Sequence, residues 1–307
     1  MLRYLVQRVI YMLITLFVVV SATFFLMKIV PGTPFNSEKL TDEQVEIMNR
    51  EYGLDQPVPV QYLNYMAKTI QGDLGYSFQF NNTPVTELLS ERVGPSAFLG
   101  FQAMLVGTII GIFLGVVAAL KQNTWVDYTS TFVAVVGKSI PSFIFAGLMQ
   151  YYIAVKLGWF PVMFWEGYEY SILPTIALSM FPISIAARFM RTEMIDVLNS
   201  DYITLAKAKG ASYLQISVKH ALRNALIPVV TVLGPLAVGL MTGSLVVEQI
   251  YSVPGIGEQF VSSILTNDYP VIMGTTILFA ALFVFVTLLV DILYGIIDPR
   301  IRLAGGK

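Results

Sequence analysis

Six apolar segments divided by polar stretches lay out this 307-residue chain. They lie near 9–30, 97–120, 132–155, 172–190, 226–248 and 271–297, each close to or above the roughly 20 residues a helix needs to cross a bilayer. Arg3 and Arg8 precede the first segment, as in a secretion signal. Its apolar run is too long for one and no small-x-small cleavage site follows, so the pattern predicts an uncleaved first span.

Lysine and arginine positions orient the spans. Arg3 and Arg8 precede the first and Lys121 follows the second. Arg191, Lys207, Lys209, Lys219 and Arg223 follow the fourth, and Arg300, Arg302 and Lys307 follow the sixth. The alternation predicts an all-α integral membrane protein of the cell membrane, with six transmembrane helices and both termini in the cytoplasm. Four regions result: 1–30, a cytoplasmic N-terminus and first span; 31–96, an extracellular segment; 97–298, a five-helix core with a cytoplasmic loop at 191–225; and 299–307, a cytoplasmic tail.

The 31–96 segment is too polar for lipid and too long for a turn. It holds Lys39, Arg50, Lys68 and Arg92 against nine acidic side chains, giving a net charge of −5. Two short amphipathic helices are expected in it, one ending at Gly53 and one after the Pro-rich QPVPV. An acidic solvated cap and a surface for an external protein both fit this pattern.

The polar stretch from Arg188 to Pro228 is the most informative. Asp201 to Lys209 has the composition of a short helix, with Tyr202, Leu205 and Ala206 on one face and Lys207 on another. Gly210 suits the left-handed turn that ends many helices. Ser212 with Gln215 three residues on reads as a capping box opening a second helix. The small residues at the bend, Ala206, Ala208, Gly210 and Ala211, let another backbone approach closely. By spacing alone, this hairpin serves equally as an ordinary loop or as a partner surface.

Within the spans, Gly107, Gly111 and Gly115 form a small-xxx-small stripe, which lets two helices meet backbone to backbone. Pro141 predicts a break in the third span, and Lys138 before it is expected near the cytoplasmic end, snorkelling. Pro174, Pro182, Pro228 and Pro235 are expected to interrupt the fourth and fifth spans, marking either a transport path or ordinary membrane-helix usage. Glu248, a carboxylate at a membrane boundary, is the candidate pathway or gating group.

Composition narrows the chemistry. At 55% hydrophobic and 13% charged residues, with mean hydropathy +0.68, the chain is not a soluble domain. A net charge of −1 gives nucleic acid nothing to bind. With no cysteine and one histidine, no metal site is expected. Gly137-Lys138-Ser139 mimics the end of a phosphate-binding loop. Phe132 stands where that motif needs its first glycine, and no strand–loop–helix pattern surrounds it, so no nucleotide site is expected in this chain. Without further information, an ion-coupled secondary transporter also fits, although charges in the spans sit near their ends. A membrane-embedded enzyme lacks any cluster at catalytic spacing.

The stretch DYITLAKAKGAS…HALRNALIP resembles the loop by which permease subunits of ABC importers dock onto their ATPases, in particular those of the peptide, dipeptide and nickel branch. The general pattern is E-A-A, three residues, Gly, nine residues, then I-x-L-P. With its Gly on Gly210, Ala206 and Leu222 match, whereas Thr204, Leu205, His220 and Arg223 depart from it. GDLGYSF (72–78), VVEQIYSVPGIGEQF (246–260), NDYPVIMG (267–274) and the terminal DPRIRL are similar to peptide-permease sequence too. The resemblance implies a type I importer fold and ATPase docking through Asp201, Ala206, Lys207, Ala208, Gly210, Ala211 and Ser212. It also implies a homologous second permease, two ATPase subunits holding ATP and magnesium, and an extracellular solute-binding protein. The implied cargo is a short peptide, with a nickel chelate, glutathione or another small solute as alternatives.

Overall fold

The computed structural model describes residues 2–29, 42–51 and 53–297; the DPRIRL motif and the tail lie outside them. Among the described residues the chain is helical, with one isolated bridge between Tyr76 and Pro84 in place of any strand.

Helix α1 (Leu2–Ile29) is the first span. Two short helices follow, α2 (Asp42–Glu51) and α3 (Val58–Ile70), as the sequence predicts. Helix α3 leans on the outer end of α1, where Tyr62 stacks on Phe25 and Tyr65 on Phe24 at centroid separations of 5.2 and 5.4 Å. The second span, α4 (Val85–Leu120), starts well before the expected residue 97. Its 36 residues make a rod of roughly 54 Å, longer than the roughly 30 Å hydrocarbon layer. The 85–96 stretch is therefore the outer extension of a span, not part of a separate cap.

The third span is bent, as Pro141 predicts. Helix α5 (Trp125–Ser139) and the arm Ser142–Lys156 meet at 100°. That arm is α6 (Ser142–Met149) prolonged by a π-helical turn over Gln150–Lys156. Ile140 at the corner is extended, at φ −92° and ψ 121°, because Pro141 disfavours a helical residue before it.

The fourth and fifth spans correct the expectation of broken helices. Helix α7 (Glu169–Leu198) runs unbroken through Pro174 and Pro182, and α9 (Arg223–Met241) through Pro228 and Pro235. Proline removes a helical hydrogen bond, but neighbouring helices and hydroxyls compensate in a membrane bundle. Pro182 is held against Gly107 of α4. A real stop follows Met241, seven residues before the predicted end of the span at 248. Gly243 turns the chain with φ +104°, and two short helices follow, α10 (Leu245–Tyr251) and α11 (Ile256–Leu265). Helix α12 (Tyr269–Ile297) is the last span and packs beside α1.

Helix α7 is the centre of the bundle: 61% of its apolar window is buried, against 11% for α1 and 17% for α12. The glycine stripe of α4 lies on it. A Cβ at Gly107 would come within 2.6 Å of Pro182, one at Gly111 within 2.5 Å of Ala186, and one at Gly115 within 2.5 Å of the Ala187 carbonyl. Only hydrogen side chains permit this approach, so the stripe joins two helices of the same chain. Two apolar clusters lie along this axis. Leu99, Ala103, Leu173 and Tyr251 form the outer one, and Met190, Met194, Ala221 and Val229 the inner one.

Candidate functional site

The polar loop folds as a helical hairpin. Helix α8 (Asp201–Ala208) is short, and its one buried apolar side chain, Ile203, anchors it to the body. Gly210 adopts φ +83°, and the Ala211 N–H donates to the Ala206 carbonyl at 3.1 Å, closing the left-handed cap. The capping box is present in full. The Ser212 N–H donates to Gln215 Oε1 at 3.0 Å, and the Gln215 N–H donates to Ser212 Oγ at 3.3 Å. The helix it opens differs from expectation in one respect: Gln215–Leu222 is π-helical before it becomes α9.

Asp201, Lys207, Ala208, Gly210 and Ser212 are exposed, and Ala206 and Ala211 half-buried. Around them Tyr202, Leu205, Tyr213, Leu214 and Val218 also stand in the open. Leu214 at 71% and Leu205 at 56% exposure give the hairpin an apolar surface that nothing among the described residues covers. The seven predicted residues thus gather in one small convex element. Asn224 ties the hairpin base together, donating to Tyr202 Oη at 3.0 Å.

The inner ends of α5 and α7 are joined beside this element. Arg191 donates from Nε to Asp127 Oδ1 at 2.6 Å and from Nη2 to Oδ2 at 2.8 Å, while the Asn123 N–H adds a third bond at 3.0 Å. Asp127 is 2% exposed. The guanidinium is only partly covered, so the pair is anchored on its acidic side. Sequence reading missed it, because the two residues lie 64 apart and on different helices.

Glu248 lies at the opposite end of the bundle and does not reach an open interface. It is 1% exposed, enclosed by α4, the Gly243 turn and the start of α11. Ser96 Oγ donates to Oε1 at 2.8 Å and the Ser244 N–H donates to the same oxygen at 3.0 Å. The N–H groups of Gly257 and Glu258 donate to Oε2 at 2.8 and 3.3 Å. These are the free donors of the first turn of α11, which a carboxylate satisfies well. Ser96 in turn accepts from the Ile256 N–H at 2.8 Å. A side chain at Gly257 would strike the Ser244 carbonyl at 2.8 Å, so the cage closes only around glycine. Glu248 is therefore a clasp between α10, α11 and α4.

A second clasp sits nearby. The buried Asp268 accepts from Ser77 Oγ and from the Phe78 and Gln79 N–H groups, the latter two at 3.2 and 3.4 Å. It joins GDLGYSF to NDYPVIMG, which sequence reading noted as separate motifs. Arg92 on α4 also donates to Glu258 on α11 at 2.5 Å. Gly137-Lys138-Ser139 is the last turn of α5, with no loop to cradle a phosphate.

Comparison with known proteins places the whole chain in a family. Residues 111–303 match the family model of the binding-protein-dependent transport system inner membrane component, and residues 1–98 match the N-terminal model of such membrane components. The chain is 46% identical over 303 residues to the dipeptide transport system permease protein DppB of Lactococcus lactis subsp. cremoris, covering 99% of this chain and 100% of that one. It is 41% identical over 305 residues to the oligopeptide transport system permease protein OppB of Salmonella typhimurium, covering 98% and 100%. Among solved structures, an inward-facing form of the MetNI methionine ABC transporter aligns with TM-score 0.56 at 18% identity, covering 69% of this chain and 96% of that chain. An amino acid ABC transporter aligns with TM-score 0.52 at 15% identity, covering 77% and 98%. Those structural likenesses establish the fold, which is that of an ABC-transporter permease. The chain is a multi-pass membrane protein and belongs to the family of binding-protein-dependent transport system inner membrane components.

Proposed function

We propose that this chain is the transmembrane subunit of an importer that moves short peptides into the cell, driven by separate ATPase subunits seated on the 201–223 hairpin. The exposed, glycine-elbowed hairpin with its uncovered apolar residues is the observation that carries this reading. Peptide as cargo follows from the full-length similarity to dipeptide and oligopeptide permeases. A homologous second permease completes the path, an extracellular solute-binding protein delivers cargo, and ATP with magnesium binds in the ATPases. Closure of the ATPase pair draws the two hairpins together, and the helices rock between inward-open and outward-open forms. Asp201, Ala206, Lys207, Ala208, Gly210, Ala211 and Ser212 form the contact, and Glu248 holds the outer α10–α11 hairpin against α4 while the path is closed.

The test uses the elbow. No atom lies within 4 Å of a Cβ built at Gly210, so a substitution there acts through the backbone alone. A left-handed residue with a side chain costs roughly 1–2 kcal/mol, and asparagine bears it best. Co-expressed with its partners, Gly210→Val should reach the membrane, lose copurifying ATPases and lose peptide uptake, whereas Gly210→Asn should keep most of both. Normal assembly and uptake in Gly210→Val, and in Ala208→Arg on the same surface, would overturn the docking assignment.

A further inference from the structure

Lys138 does not lie at the cytoplasmic end of its helix. It occupies the last turn of α5, 13 residues beyond Trp125, which is roughly 20 Å along the helix from that end. The register against α7 places it at the same depth. Asp127 pairs with Arg191, Ser184 donates its hydroxyl hydrogen bond to the Ala134 carbonyl, and Gly137 faces the Met180 carbonyl. Met180 is 11 residues from the outer start of α7 at Glu169, roughly 16 Å. Both measures put Lys138 inside the roughly 30 Å hydrocarbon layer.

At that depth Lys138 is exposed, and among the described residues no carboxylate pairs with it. Ser139 beside it is exposed, Pro141 brings no N–H, and the Ile140 backbone leaves the helix, although Val135 one turn back and Phe143 and Ile144 beyond the corner are exposed as well. An ammonium and a non-helical backbone are tolerated at membrane depth only against protein or in a water-filled cavity. A water-filled solute path meets both requirements.

We propose that Lys138 lines the transport path and binds the carboxylate of the peptide in transit, assisted by the hydroxyl of Ser139. The ammonium supplies three donors and a compact charge, so it gives a mobile carboxylate a contact without bidentate grip. The charge also favours water at the corner between α5 and α6. This rests on the peptide-importer reading above, and the experiment separates the two.

The assembled complex, with its binding protein, is reconstituted in liposomes. Uptake of one peptide is compared as the free acid and as the C-terminal amide. Lys138→Met should lower free-acid uptake about tenfold while leaving the amide unchanged, the loss expected for one charged contact. Lys138→Arg should retain the preference. The chain has no native cysteine, so Lys138→Cys carries a single thiol on this subunit. Reaction of that thiol with a water-soluble aminoethyl methanethiosulfonate should restore acid uptake, and an anionic sulfonatoethyl reagent should not. Equal loss for acid and amide, an unchanged Lys138→Met, or a Lys138→Cys thiol that no aqueous reagent reaches would each overturn the assignment. If the wild-type complex moves neither peptide, the importer reading itself fails.

Discussion

Arg191 holds Asp127 through both carboxylate oxygens, and through this one pair the bent third span is fastened to the helix that leads into the cytosolic hairpin. Asp127 is buried while Arg191 retains 29% exposure. Removing the cation leaves a carboxylate without its partner, at a cost of about 2–3 kcal/mol, below that of a fully buried pair. Arg191→Ala should lower the thermal midpoint of the detergent-purified chain by several degrees. Arg191→Lys should recover only part, because an ammonium cannot span both oxygens. The double variant Asp127→Ala/Arg191→Ala should be less destabilised than the sum of the single ones. Simple additivity in that cycle would show that the pair contributes no coupling.

The glycine stripe gives a sharper contrast. Gly111→Ala puts a methyl 2.5 Å from the Ala186 Cβ, so α4 and α7 must separate, at about 1–3 kcal/mol. On α6, a methyl group at Gly147 would meet nothing within 4 Å, and Gly147→Ala should be neutral or stabilising by about 0.5–1 kcal/mol. Thermal inactivation of the two variants in parallel reads the difference. A Gly111→Ala protein as stable as wild type would refute this packing.

Glu248→Gln replaces one acceptor oxygen with an amide, which cannot accept from Gly257 and Glu258 if it keeps its bond from Ser244. The cost is about 1–3 kcal/mol for the donors left unpaired. Hydrogen exchange at the Gly257 and Glu258 amides should accelerate by at least about tenfold, while the amides of α7 stay protected. Unchanged exchange would mean that the α11 N-terminus is held by other contacts.

Asp268→Asn loosens the 77–79 stretch in the same manner, because three donors converge on that carboxylate. Protease added outside proteoliposomes should cut near Asn81 and Asn82 several times faster in the variant. Both residues hold positive φ, at 48° and 58°, in the turn beyond Gln79. Equal cutting rates would place the restraint elsewhere.

Much of this protein is legible from its sequence because much of its folding is local. Apolar length set the number of spans, cation asymmetry their direction, and Pro141 the bend in the third. The hairpin was equally readable, since a left-handed glycine and a reciprocal Ser212–Gln215 cap involve only residues close in the chain. Where α4 begins was not legible, because Val85 to Ser96 is polar on one side and apolar on the other, and only packing of Val85, Leu88 and Leu89 near Val271 decides it.

The tertiary structure decided what each isolated polar residue does. Prolines that break a free helix remain inside α7 and α9; in α7 both are buried, and Pro182 packs against Gly107 of α4. Glu248 stood at a predicted boundary, yet a donor from α4, 152 residues away, joins donors from α11 to enclose it. Lys138 was expected near the cytoplasmic end of its span, yet the register of α5 on α7, with Gly137 against the Met180 carbonyl, sets it far from that end. Short-range geometry is written in neighbouring residues; burial, depth and the pairing of distant charges exist only once helices pack.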